Sequence, residues 1–131
     1  HHGHYISAFK LFVEKPIFGN GVNSFRNNCK KYDHEFNCST HPHSFFLQIL
    51  SELGLIGILF YLFFIYSLII NISSSKNSEG IKILSVGLLI YLFPIAPSGN
   101  FFNNWLNMIF YYLIGFHMYL NYQNNVHKNN N

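Results

Sequence analysis

Two side chains of this 131-residue chain, His43 and Arg26, have the types and settings best suited to chemistry. An imidazole is mostly neutral at neutral pH and can accept a proton from a hydroxyl. A guanidinium grips phosphate with a planar fork. His43 lies in the polar run Ser39-Thr40-His41-Pro42-His43-Ser44, which opens directly into an apolar stretch at Phe45. Pro42 is excluded from a helix interior but suits a first turn, so the sequence predicts a helix starting there, capped by Ser39, Thr40 or His41. That helix would hold His43 in its first turn, beside the positive end of the dipole, where anions are favoured and the imidazole stays a base.

The spacing beyond His43 defines a face. At about 100° per residue, Leu50, Gly54 and Gly57 fall within roughly 40° of His43, and Glu52 falls on the opposite side. Glycines on a membrane helix let another helix or a lipid approach the backbone closely. A helix that merely begins with histidine and packs through its glycines accounts for the same pattern. Glu52 is an expensive charge if buried, and its position near the helix top suits a hydrogen-bonded structural group.

The elements that must position these residues are helical and apolar. Half of the residues are hydrophobic, 19% are aromatic and 10% are charged, where soluble proteins average about 25% charged. This balance predicts an all-α integral membrane protein. Residues 5–13 read as a short amphipathic helix at the membrane interface, ended by Pro16 and followed by the turn signal Gly19-Asn20-Gly21. Residues 24–31 suit one or two helical turns, and residues 33–40 read as a loop. Residues 1–44 thus form a polar segment, and residues 45–121 a transmembrane region with spans at 53–72, 81–96 and 105–120. Trp105 fits an interfacial aromatic belt, and the asparagine-rich residues 122–131 read as a disordered tail. Three spans place the polar segment and the turn at 98–104 on one side, with the loop at 73–80 and the tail on the other. Cations sit on both sides, so the positive-inside rule alone does not orient the chain. A net charge of +3 with no Lys/Arg stripe excludes a nucleic-acid partner.

His43-Ser44, nine residues, Gly54, two residues and Gly57 together resemble the pattern His-[Asn/Ser/Gln]-x9-Gly-x-x-Gly of the O-antigen ligase and polymerase superfamily. Lys15-Pro16-Ile17-Phe18-Gly19-Asn20-Gly21 resembles that family's PxxGxG segment, with Ser24-Phe25-Arg26 following. His41-Pro42-His43-Ser44 is similar to its HPHN, and residues 48–57 (QILSELGLIG) to its LxExGxxG tail. The likeness covers residues 5–66 in the right order.

The resemblance implies the C-terminal part of a polytopic, GT-C-like helical bundle in a bacterial inner membrane, with residues 1–44 facing the periplasm. It implies a metal-independent, cofactor-free glycosyltransferase that moves a glycan from an undecaprenyl-diphosphate carrier onto a sugar hydroxyl, of lipid A-core or another glycan. A polymerase of the same superfamily is the alternative. In this scheme His43 is the base, Arg26 meets the diphosphate ahead of Lys30 and Lys31, and His41 assists in substrate binding. Family members are much longer and carry further arginines upstream, so the chain reads as a fragment with too few spans to act alone.

In the oxidising periplasm Cys29 and Cys38 would close a small loop next to His41, contributing about 2–3 kcal/mol. The histidines and cysteines lack the usual zinc spacings, so no metal is expected. A non-catalytic membrane scaffold is a further alternative, and it predicts that His43 is replaceable.

Overall fold

The computed structural model describes residues 2–32, 39–74, 77–94 and 98–129. The elements are α1 (His2–Glu14), α2 (Phe25–Asn28), a 3-10 turn (Cys29–Lys31), α3 (Phe45–Ser73), α4 (Glu79–Tyr91) and α5 (Asn104–Asn129), with no strand among the described residues. The all-α expectation holds.

Helix α3 is the axis. Its first helical residue is Phe45, three residues after the expected Pro42. The N-cap is Ser44, whose extended backbone (φ −147°, ψ 124°) lets Oγ accept from Leu47 N–H. A serine hydroxyl satisfies an orphan helix donor, and proline cannot. Pro42 and His43 therefore lie outside the helix. A second departure lies inside it, because Gly54 adopts φ 65°, ψ −155° and breaks the helix in two. The lower part, residues 55–73, is about 28 Å long, close to the roughly 30 Å of bilayer hydrocarbon. It matches the expected span at 53–72. Among the described residues, α3 is the one helix long and apolar enough to cross a membrane.

The other two expected spans differ from α4 and α5. Helix α4 has 13 residues and ends at Tyr91, before the expected 96, because the residue preceding Pro94 is driven out of helical conformation. Residues 95–97 lie outside the described residues. Helix α5 begins at Asn104, near the expected 105, but continues to Asn129 through most of the segment read as a disordered tail. No Gly or Pro interrupts it after Gly115. Side chains reinforce the extension, with Asn121 donating to the His117 carbonyl (3.0 Å) and Asn124 to the Asn77 amide oxygen (3.2 Å).

The three helices run antiparallel in sequence order. Ser44 Oγ donates to the Pro94 carbonyl (3.1 Å) at one end, and Asn124 meets Asn77 at the other. Their core is Phe45, Ile49, Ile58, Tyr61, Leu68, Leu88, Leu92 and Phe110. A smaller core of Ala8, Leu11, Phe25 and Cys29 seats α1 and α2 against the head of α3.

The exposure pattern is inverted relative to a water-soluble bundle. Phe60 and Phe63 on α3, Ile83 and Ile90 on α4, and Ile109 and Tyr112 on α5 are all exposed, whereas Gln48, Glu52, Ser85, Asn107 and His117 are buried. The buried polar groups pair between helices, as Ser85 Oγ does with His117 Nε2 at 2.8 Å. Interhelical hydrogen bonds of this kind hold helices together where lipid removes the hydrophobic drive between them.

Candidate functional site at the head of helix α3

The glycine motifs turn out to be two halves of one joint. Where Gly54 breaks α3, the helix loses its own hydrogen-bond partners, and residues 16–21 supply new ones. Leu55 N–H donates to the Pro16 carbonyl (2.8 Å) and Ile56 N–H to that of Ile17 (3.3 Å), while Asn20 and Gly21 N–H donate to the Ser51 and Glu52 carbonyls (3.0 and 2.9 Å). Each buried backbone group thus keeps a partner. The approach is so close that a Cβ on Gly54 would lie 2.6 Å from Gly19 N, and one on Gly19 would collide with the Glu52 backbone. Both glycines also have positive φ, 69° and 65°, which any other residue adopts only with strain. Gly57 instead tucks beneath Ile49 and Leu53 of its own helix. The expected glycine face for a neighbouring helix is therefore corrected, since Gly54 receives a loop of the same chain.

Glu52 secures that loop. Fully buried, its carboxylate accepts from Asn23 N–H (3.0 Å), Phe25 N–H (2.9 Å) and Gln48 Nε2 (3.3 Å). Three donors offset the cost of burying the group. This is the hydrogen-bonded structural role expected from sequence. Gln48 carries the network onward, donating to Asn100 Oδ1 (2.7 Å) and accepting from Phe101 N–H (2.9 Å). Asn100 and Asn103 order their own turn by accepting from Phe102 and Trp105 N–H.

Above this joint sits His43. It is half-buried, with φ 58°, a left-handed conformation that costs a non-glycine residue about 1–2 kcal/mol. Its backbone is anchored by Ser98 N–H, which donates to the His43 carbonyl (3.1 Å), and by the buried Pro42 and Ser44 on either side. The ring lies 4.3 Å from that of His41 and 5.6 Å from that of His4, centre to centre. Its Nε2 is 3.1 Å from Ser39 Oγ, and His41 Nδ1 is 2.9 Å from Thr40 Oγ1.

The protonation of both rings follows from this setting. Burial, then the neighbouring His41 and His4, hold His43 below the usual imidazole value. Burial lowers His41 as well, opposed by its hydrogen bond to the Ser98 backbone. The expected direction for His43 agrees, but its cause is burial and like charge rather than position inside the first helical turn.

Of the sequence-predicted site residues, His41 and His43 are brought together. Arg26 projects exposed from α2, and makes no ion pair or side-chain hydrogen bond with another described residue. Its helix ends close to the same loop, because Cys29 Sγ lies 3.9 Å from the Ser39 carbonyl. Lys31 is engaged with Glu14, which also accepts from Tyr32. Cys29 is buried, and Cys38, its expected disulfide partner, lies outside the described residues. No three His, Cys, Asp or Glu side chains among the described residues are arranged to hold a metal ion. Sequence reasoning missed His4, along with the Ser39 and Ser98 contacts. The one available signal was that Ser7, Ala8 and Leu11 form a buried stripe that carries His4 one turn earlier on the same face.

Comparison with known proteins gives one family match. Residues 4–62 match the family model described as O-Antigen ligase, nearly the same stretch that carries the resemblance read from the sequence. No curated protein and no solved structure matches the chain. The matched residues run from His4 through the whole glycine joint and the histidine cluster.

Proposed function

We propose that this chain is part of an inner-membrane glycosyltransferase of the O-antigen ligase and polymerase kind, with the histidine cluster as its periplasmic reaction site. One observation carries the reading. Within the matched stretch, His43 is held out of the helix in a strained conformation, half-exposed and beside two other imidazoles, above a joint whose backbone groups and buried carboxylate are hydrogen-bonded. Strain maintained by surrounding structure is characteristic of reacting sites.

The chemistry follows from the ring's state. Neutral His43 accepts the proton of an acceptor sugar hydroxyl as its oxygen attacks the anomeric carbon of the lipid-linked glycan. The new C–O bond forms as the bond to the diphosphate breaks, and undecaprenyl diphosphate leaves with the electron pair. Arg26 is our candidate for meeting that diphosphate, from the exposed end of α2. His41 and Ser39 orient the His43 ring and the substrate. Cys29 and Cys38 would pin the loop between Arg26 and His41.

An apolar cavity of about 300 Å³, lined by Ile49, Leu53, Gly57, Tyr61, Phe101 and Phe110 among others, opens just below the Gln48–Phe101 contact. It suits the apolar chain of a lipid carrier. The inverted exposure of α3, α4 and α5 supports a bundle that lies against lipid; in this reading the His43 and Ser98 end faces the periplasm. Ligase and polymerase share these residues and differ in the acceptor, lipid A-core for one and a glycan chain for the other.

The test is transfer itself. Membranes from a host lacking its own ligase, supplied with this protein in its full membrane context, are incubated with an undecaprenyl-diphosphate-linked glycan and acceptor. A glycan-bearing acceptor on a gel supports the ligase, and lengthened lipid-linked chains support the polymerase. Absence of both products with the protein present in the membrane contradicts the proposal.

A further inference from the structure

We propose that His4 is a positioning residue of this site: carried in by α1, its imidazole packs beside His43 and, together with His41, keeps a second positive charge from settling there. The inference rests on the reading of His43 as the base.

The placement of His4 is fixed by packing. Ala8 and Leu11 are buried in the small core with Phe25 and Cys29, and Ser7 is buried beside them. These residues lay one face of α1 against the head of α3. His4 lies four residues before Ala8 and three before Ser7, on that same face. Its ring is thereby brought 5.6 Å from His43 and tilted 45° to it.

Three imidazoles in one place impose a charge rule. Once one carries a proton, protonating the next costs more, because like charges at this separation repel. Among the described residues, the titratable groups facing His43 are His41 from its own loop and His4 from α1. The turn between α4 and α5 presents the Ser98 backbone N–H and no charged side chain. The other charged pair on α1 lies at its far end, where Glu14 accepts from Lys31. A charge on either neighbour therefore opposes a proton on His43. His43 can then work as a base in a periplasm that turns mildly acidic.

The test separates charge from packing. The full chain in detergent micelles, with labelled histidines, is titrated by NMR, and the His43 ring is assigned by its absence in His43→Ala. In His4→Gln the His43 midpoint is expected to move up. In His4→Lys, whose charge is permanent, it is expected to move down. The acid limb of transfer in the membrane assay is expected to move in the same two directions. A midpoint unchanged in both variants, or displaced the same way in both, overturns the role of His4. Transfer retained by His43→Ala instead overturns the reading of His43 as base and leaves the titration result standing.

Discussion

The glycine joint and the histidine loop adjoin each other on α3, yet they are built in opposite ways. In the joint, the broken helix and residues 16–21 exchange four backbone hydrogen bonds, and a buried carboxylate holds three further donors. Two to three turns away, His43 is half-exposed in a disfavoured backbone conformation, facing two other imidazoles rather than the core. The two regions are therefore built for different work. Glycines and glutamate make a rigid seat, and the histidine it supports sits half-exposed beside two other rings.

Breaking the seat should have the largest effect. Gly54→Ala or Gly19→Ala combines positive φ with a backbone collision, at about 3 kcal/mol or more. Loss of folded protein, followed by abundance in the membrane and thermal unfolding in detergent, is the expected outcome. Full tolerance of either change would mean that the joint is looser than its geometry. Glu52→Ala follows, because it leaves the Asn23 and Phe25 N–H groups buried without an acceptor, at about 2–4 kcal/mol. Faster amide exchange at Phe25, with the lower half of α3 still protected, would sharpen the assignment to this joint. Ser44→Ala removes the helix cap and the bond to Pro94 for about 1 kcal/mol, visible as fraying in the first turn of α3.

The histidine side of the comparison answers to pH rather than to stability. In the proposed reaction the neutral ring is the active form, and the site disfavours its protonation. Transfer should therefore persist as pH falls through the ordinary imidazole value of about 6.5 and decline only below it. A decline centred above that value would show that neither burial nor the neighbouring rings act on His43.

Much of this arrangement was legible in the chain. The apolar run after Phe45, the turn around Gly19 and the structural use of Glu52 follow from local rules of burial, breaking and capping. The side shared by His43 and the turn at 98–104 followed from counting helices. Less legible was anything decided by partners far apart in sequence. Pro42 suggested one helix start, but the better hydroxyl acceptor two residues later decided it. Gly54 fits a continuous helix in periodicity, and only the docking of Gly19 reveals the break. His4 carries no motif, and its role comes from the packing of Ala8 and Leu11 against the smaller core. The end of α5 depended on Asn77, a residue in another loop.

The most direct measurement pairs the two regions in one protein. His43→Ala is made in this protein in its full membrane context, and the proposed transfer from the lipid-linked glycan is followed beside membrane abundance and thermal unfolding. Loss of transfer with abundance and unfolding unchanged is the result expected of a ring that does chemistry on a seat built by other residues. Transfer that survives, or that falls only because the protein disappears, would contradict that division and leave the loop as scaffold.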